Sequence, residues 1–375
     1  MTVYLDCNAT TPVEPRVADE VMRHLVEEYG NAGSRTHDYG VRAKRAVQTA
    51  RAAVAGVVDA AADEVIFTSG ATEANNLAIL GLGEAAERRG HVVTTAVEHK
   101  AVLEPIELLA SRGFDVDVVP VGASGAVDPD DVRRVLRPDT LLVSVMHVNN
   151  ETGVVQPIEE VAAVLEGHPA YFHVDAAQGF GKDLPGLRNR RVDLISVSAH
   201  KVYGPKGVGA LVGRRRQYRR PPLAPLMVGG GQERGLRPGT LPVALIAGFG
   251  LAAELAVTEH DVRREANLAF RQQVVDALVP LDPRWHGDQA LVLPTTANFS
   301  VPRVDGEAAV VALKDLVALS NGSACTSNSY APSHVLTAMG LPREQVDGAL
   351  RVSWCHLTEP PDWGGVTAAL RAIAA

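Results

Sequence analysis

The sequence predicts an α/β protein, with a mainly parallel seven-stranded sheet in a large domain and a smaller α+β domain at the C-terminal end. Three observations carry this. Seven short β-branched runs recur between residues 64 and 213, helical patterns separate several of them, and the rhythm changes near residue 250. A chain of 375 residues has room for two domains, at about 100–200 residues each.

The runs are residues 64–69, 91–96, 114–121, 140–147, 171–175, 192–198 and 207–213. Near-continuous Val, Ile, Leu and Phe mark strands covered on both faces, and alternation with helices predicts parallel crossovers. Helical patterns occupy 72–90 and 128–137, and residues 242–282 read as almost wholly helical. The most apolar window, Leu241 to Val257, contains Pro242 and Glu254 and is shorter than the roughly 20 residues of a spanning helix, so a buried helix is expected. Beyond it come a strand at 295–302, a helix at 305–316, a Gly/Ser-rich loop at 320–329 and a terminal helix at 361–375. The expected division is a large domain over 13–250 and a small one over 1–12 and 251–375, with a cysteine-bearing loop at about 321–332.

Composition narrows the function. A charged fraction of 21% beside a hydrophobic fraction of 46% excludes disorder, and a net charge of −8 argues against direct nucleic-acid binding. The start, MTVYLDCNATTP, has neither the basic nor the apolar region of a signal peptide, so a cytoplasmic protein without membrane contact is expected. The three cysteines, Cys7, Cys325 and Cys355, form no CxxC pair, which argues against a disulfide framework and a cysteine zinc site; no metal is expected. The basic run Arg214–Arg220 reads as a solvated strand end and turn.

Only a lysine can bond an aldehyde cofactor, and the chain has six: Lys44, Lys100, Lys182, Lys201, Lys206 and Lys314. Lys201 follows the run 192–198, and ligand sites in open α/β sheets lie beyond the carboxyl ends of strands. Lys206, in the turn after it, is the rival. Asp175 closes the run 171–175, where an acidic partner for a pyridinium nitrogen would stand. In SGATEANN a strand ends at Ser69-Gly70 and a helix begins near Thr72, and the free amides and dipole of a helix start suit a phosphate. Together the three favour a phosphate-bearing aldehyde cofactor, the class to which pyridoxal 5'-phosphate belongs.

The motifs YLDCNATTPVEP, SGATEANN, EHKA, MHVNNETGVVQP, HVDAAQ, SAHKVYGPKG, GGGQERGLRPGTLPVA, NGSACTSNS and RVS follow one another from residue 4 to 353. In this order they resemble the pyridoxal-phosphate-dependent cysteine desulfurases of the long-cysteine-loop kind, within the fold-type I, class-V aminotransferase superfamily. The resemblance implies that Lys201 bonds the cofactor and moves protons, that Asp175 pairs with its ring nitrogen, and that Gln178 bonds its phenolic oxygen. It implies that His99 stacks on the ring and serves as an acid–base group, and that Ala71, Thr72, Ser198 and His200 hold the phosphate. Thr240 would reach the phosphate of a neighbouring subunit, hence a homodimer. Asn150 and Arg351 would hold the carboxylate of L-cysteine, although Arg351 is also open to reading as a plain ion-pair partner. Cys325, in small polar company unlike a structural cysteine, would take the substrate sulfur as a persulfide and pass it to a protein acceptor. Acceptors in iron–sulfur assembly, tRNA thiolation or DNA phosphorothioation stay open. A selenocysteine lyase or small-amino-acid aminotransferase is the alternative enzyme, and a catalytically idle scaffold the alternative of another class. Cys7 and Cys355 receive no role, and His147 and His173 are expected to be core or supporting residues. The chain departs from the pattern at Ala32, Gln232, Pro238 and Trp354-Cys355.

Overall fold

In the computed structural model, which describes residues 2–321 and 332–374, all seven runs join one sheet. After β1 (Val3–Tyr4), its strands are β2 (Val65–Thr68), β3 (His91–Thr95), β4 (Asp115–Val119), β5 (Thr140–Ser144), β6 (Tyr171–Asp175), β7 (Leu194–Ser198) and β8 (Gly209–Gly213). The order is β2-β8-β7-β6-β5-β3-β4; β8 runs antiparallel to both neighbours, and every other adjacent pair is parallel.

Helices cover both faces. Successive strand side chains point to opposite sides, so in β2 Val65 and Phe67 enter one core and Ile66 the other. Ile66 meets α3 (Ala71–Ala85) and α4 (Lys100–Ser111), which supply Leu77, Leu82, Val102 and Leu109. The opposite core takes residues of α1 (Pro15–Val26) and α2 (Asp38–Val57), together with α5 (Pro129–Val135), α6 (Ile158–Val164), α7 (Pro185–Arg188) and α8 (Val243–Thr258). The apolar window at 241–257 is thus α8, a largely buried helix, and no single described helix is long and apolar enough to cross a membrane.

A further core forms beyond α9 (His260–Leu278). Strand β10 (Thr296–Ser300) pairs antiparallel with β9 (Arg284–Trp285) on one side and, among the later strands, with β12 (Ala349–Ser353) on the other; β11 (Val317–Ala318) pairs in parallel with β1. Leu5, Phe270, Phe299, Leu350, Trp354 and Leu370 fill this core, beneath α10 (Gly306–Leu313) and, after the short α11 (His334–Ala338) and α12 (Arg343–Asp347), α13 (Trp363–Ile373).

The reading of Arg214–Arg220 as a solvated strand end and turn holds for residues 217–220, which are exposed, and is corrected at Arg214 and Arg216. Arg214 is buried, and its guanidinium donates to the carbonyls of Val58, Leu187, Asn189 and Val192. Arg216 binds both oxygens of Asp193 and lies 4.6 Å over the Tyr171 ring. The five donors of arginine let one side chain satisfy several loop carbonyls, a task that composition does not reveal. Arg215 and Arg220 pair with Asp63.

Candidate active site

A cleft of about 520 Å³ opens beyond the carboxyl ends of β6 and β7, and it gathers most of the expected residues. Asp175 ends β6, where its Oδ1 accepts the Ala177 amide at 3.0 Å and its Oδ2 accepts the Asn75 side-chain amide at 2.7 Å. After β7 a short helical turn, Ala199–Lys201, brings Lys201 into the cleft, where Nζ donates to the carbonyls of Asn8 and Ala9. The rival Lys206 is exposed at the cleft margin. Gln178, in the turn after β6, donates Nε2 to the Asn8 carbonyl at 2.9 Å, and its buried Oε1 has no partner among the described residues.

His99 caps α4, its Nδ1 accepting the Ala101 amide at 3.1 Å, which leaves Nε2 as the protonated nitrogen of the neutral ring. Burial holds its pKa below the usual value; the Asp175 charge opposes this and the Lys201 charge reinforces it. His200 is pushed down to about 4 by burial, with the charges of Lys201 and Lys206 adding to the effect, and its Nδ1 lies 3.2 Å from the Thr10 hydroxyl.

Ala71 and Thr72 form the first turn of α3, whose N-cap Gly70 offers no capping side chain. The leading amides of a helix lack intrahelical acceptors, and Ser198 and His200 line the cleft beside them. A Cβ at Gly209 would stand 2.6 Å from the Gly70 Cα, so glycine there lets the helix start rest against the sheet.

On the opposite wall, Arg351 of β12 is 1% exposed and spans two acceptors, Asn150 O at 3.0 Å and Asp6 Oδ1 at 2.7 Å; its Nε has no partner among the described residues. Arg351 therefore both lines the cleft and makes an ion pair. Thr240 is exposed and does not line this cleft. Cys325 lies outside the described residues. The chain on either side of it meets the site: Ser320 pairs through its backbone with Arg351, Ser333 donates its hydroxyl to Glu151 Oε2, and the His334 ring lies 2.9 Å from the Glu98 carbonyl.

Three residues escape the sequence reading. Asn75 orients Asp175, and its polar side chain among the apolar positions of α3 was the available signal. Asn8 serves Lys201 and Gln178 through its carbonyl and donates its side chain to Asn150 O at 3.1 Å and Thr296 Oγ1 at 3.0 Å. Because every residue has a carbonyl, no signal marked it. Glu98, beside His99, is fully buried; its Oε1 accepts the Thr95 hydroxyl and the Met146 amide, Oε2 has no partner among the described residues, and burial pushes its carboxyl up to about 8. His147 and His173 are buried as expected: His173 bridges the Ser144 and Ser196 hydroxyls, and His147 pairs with Asp183.

The aminotransferase class-V family matches residues 3–362. The chain belongs to that family. Its members depend on pyridoxal phosphate, and the donor set here fits that cofactor: a carboxylate on β6, an amine on the turn after β7 and free amides at a helix start. This class-V chain is similar to the cysteine desulfurase IscS of Anaeromyxobacter sp. (strain Fw109-5), with 46% identity covering 93% of this chain and 86% of that protein. Among solved structures, it is similar to DndA from Streptomyces lividans, at 52% identity and a TM-score of 0.82 over 94% of this chain and 99% of that one. It is also similar to a structure described as SspA in complex with cysteine, at 36% identity and a TM-score of 0.82 over 94% and 98% of the two chains.

Proposed function

We propose that the chain is a cysteine desulfurase that converts L-cysteine to L-alanine, leaving the sulfur as a persulfide on Cys325 for a protein acceptor. The observation that carries this is the convergence of Lys201, Asp175, Gln178, His99 and Arg351 on one cleft, in a chain 46% identical to a cysteine desulfurase. Pyridoxal phosphate, when bound, supplies an electron sink for the bonds broken at the substrate α-carbon. Lys201 holds the cofactor and moves the substrate α-proton through Nζ. The Asp175 carboxylate, oriented by Asn75, keeps the ring nitrogen protonated, and Gln178 offers its second amide hydrogen to the phenolic oxygen. His99, a neutral ring with its proton on Nε2, would lie against the cofactor and exchange protons with the substrate. Ala71, Thr72, Ser198 and His200 hold the phosphate.

Arg351 and Asn150 receive the substrate carboxylate, for which a planar guanidinium offers paired donors. The Cys325 thiolate attacks the substrate sulfur: an S–S bond forms, the C–S bond breaks with its electron pair left on carbon, and that carbon takes up a proton to become the methyl group of alanine. Thr240 then serves a neighbouring subunit in a homodimer, which fits its place outside its own cleft. The acceptor is a protein of iron–sulfur assembly, tRNA thiolation or DNA phosphorothioation, encountered in the cytoplasm.

The purified holoenzyme is expected to be yellow and to form alanine and persulfide from L-cysteine. Lys201→Ala is expected to lose the cofactor absorption band, and Cys325→Ser to keep it while losing persulfide formation. Unchanged turnover of free cysteine by Cys325→Ser would overturn the assignment. Capture of partners by the persulfidated protein identifies the acceptor.

A further inference from the structure

Cys7 and Cys355 take no part in the chemistry above, yet the fold brings them together from opposite ends of the chain. With Tyr203 they form a closed cluster, each cysteine 2% exposed. Their backbones are held on both sides of the contact: Asp6 bridges Ser353 in parallel, the Cys7 amide donates to the Ser353 carbonyl at 3.1 Å, and the Asn8 amide donates to the Ser353 hydroxyl at 2.9 Å.

The two thiols are unlike. Cys355 sulfur accepts hydrogen bonds from the Cys7 thiol and, at 3.5 Å, from the Thr358 hydroxyl. These bonds, with the charge of the half-buried Lys182 nearby, hold Cys355 below the ordinary thiol range although burial opposes them. Cys7, which donates and is buried, is held well above it. The two side chains thus share one buried cluster, and of the two Cys355 is the more thiolate-like and the more reactive. A surface cleft of about 380 Å³ is lined by Cys7, Thr10, Leu357 and Thr358; it brings a small oxidant to Cys7, with Cys355 behind it in the same cluster and hydrogen-bonded to the cleft-lining Thr358.

We propose that Cys7 and Cys355 are a redox dithiol that a peroxide closes to a disulfide. The Cys355 thiolate attacks a peroxide oxygen, the O–O bond breaks, and hydroxide leaves as the sulfenic acid forms. Cys7 sulfur then attacks the Cys355 sulfur, the S–O bond breaks, and the departing oxygen leaves as water with the Cys7 proton. Hydrogen peroxide is reduced to hydroxide, which takes a proton from solvent, and one water, while the two cysteines are oxidised. The bond ties the segment that presents the Asn8 and Ala9 carbonyls to Lys201 onto the strand that carries Arg351.

The test uses the Cys325→Ser holoenzyme, which leaves only this pair of cysteines. It is treated with hydrogen peroxide, alkylated under denaturing conditions and digested without reductant. The expected product is a peptide pair joined through Cys7 and Cys355, two hydrogens lighter than its parts and separated by dithiothreitol, with a higher Tm for the oxidised protein. With Cys7→Ser added, the crosslink is expected to vanish and a sulfenic acid to be trapped on Cys355 by dimedone. Recovery of both cysteines as alkylated thiols, or sulfinic acid on Cys355 with Cys7 intact and no crosslink, would overturn the proposal.

Discussion

Glu98 precedes His99 and is wholly buried, with one carboxyl oxygen bonded and the other without a partner among the described residues. Desolvation disfavours its charged form, so the folded protein keeps the Glu98 proton up to about pH 8, whereas the unfolded chain releases it near the ordinary glutamate value of about 4.3. Between these two values the folded state binds more protons than the unfolded one, and stability falls as pH rises through the window. Glu98→Gln keeps the shape and cannot ionise. Urea unfolding at several pH values is therefore expected to show the wild type losing ground to the Gln variant between about pH 5 and pH 8, by on the order of a few kcal/mol. A pH-independent difference would mean that Glu98 is charged in the folded protein.

The same logic of close fit governs the helix start at α3. Gly209 of β8 passes so close to Gly70 that a methyl group there would overlap the Gly70 Cα and the Val197 carbonyl, at 2.6 and 2.4 Å. Gly209→Ala is expected to cost about 1–3 kcal/mol as an overpacked site. It also moves the amides of Ala71 and Thr72, so weaker cofactor retention should accompany the lost stability. Denaturation midpoints and cofactor titration check the two effects together, and lost stability with unchanged cofactor affinity would separate the helix start from the phosphate site. Elements of this kind were legible in the sequence for a physical reason. Strands buried along most of their length must be continuously apolar, so six strands of the seven-stranded sheet announced themselves this way and the exposed edge strand β4 by its alternating Asp and Val. Asp175 and Lys201 stood out because they close or follow such runs, whereas two-residue strands such as β1, β9 and β11 are too short to leave a pattern. The contacts of Asn8 with Lys201, of Arg214 with Val58 and of Cys7 with Cys355 join residues far apart in the chain through a carbonyl, a buried guanidinium or a sulfur. None of these leaves a local period, so none could be read before the fold was known.

At the scale of the molecule, residues 3–11 connect the second core to the cleft. Val3 and Tyr4 pair with β11, Leu5 is buried in the second core, and Asp6 holds the Arg351 guanidinium. Asn8 and Ala9 then present their carbonyls to Lys201, and Thr11 closes the run by donating to the His200 carbonyl at 3.0 Å. A segment so tied transmits loss of the second core to the cofactor site, because freeing Leu5 also loosens the backbone that orders Lys201 and Gln178. Leu5→Ala removes a fully buried side chain, and such truncations cost about 2–5 kcal/mol. Thermal unfolding followed separately by cofactor absorbance and by far-ultraviolet circular dichroism should show both midpoints falling by the same amount in this variant. A variant that lost helical and sheet signal at a lower temperature while holding its cofactor to the wild-type temperature would show that the segment spans the two regions without coupling them.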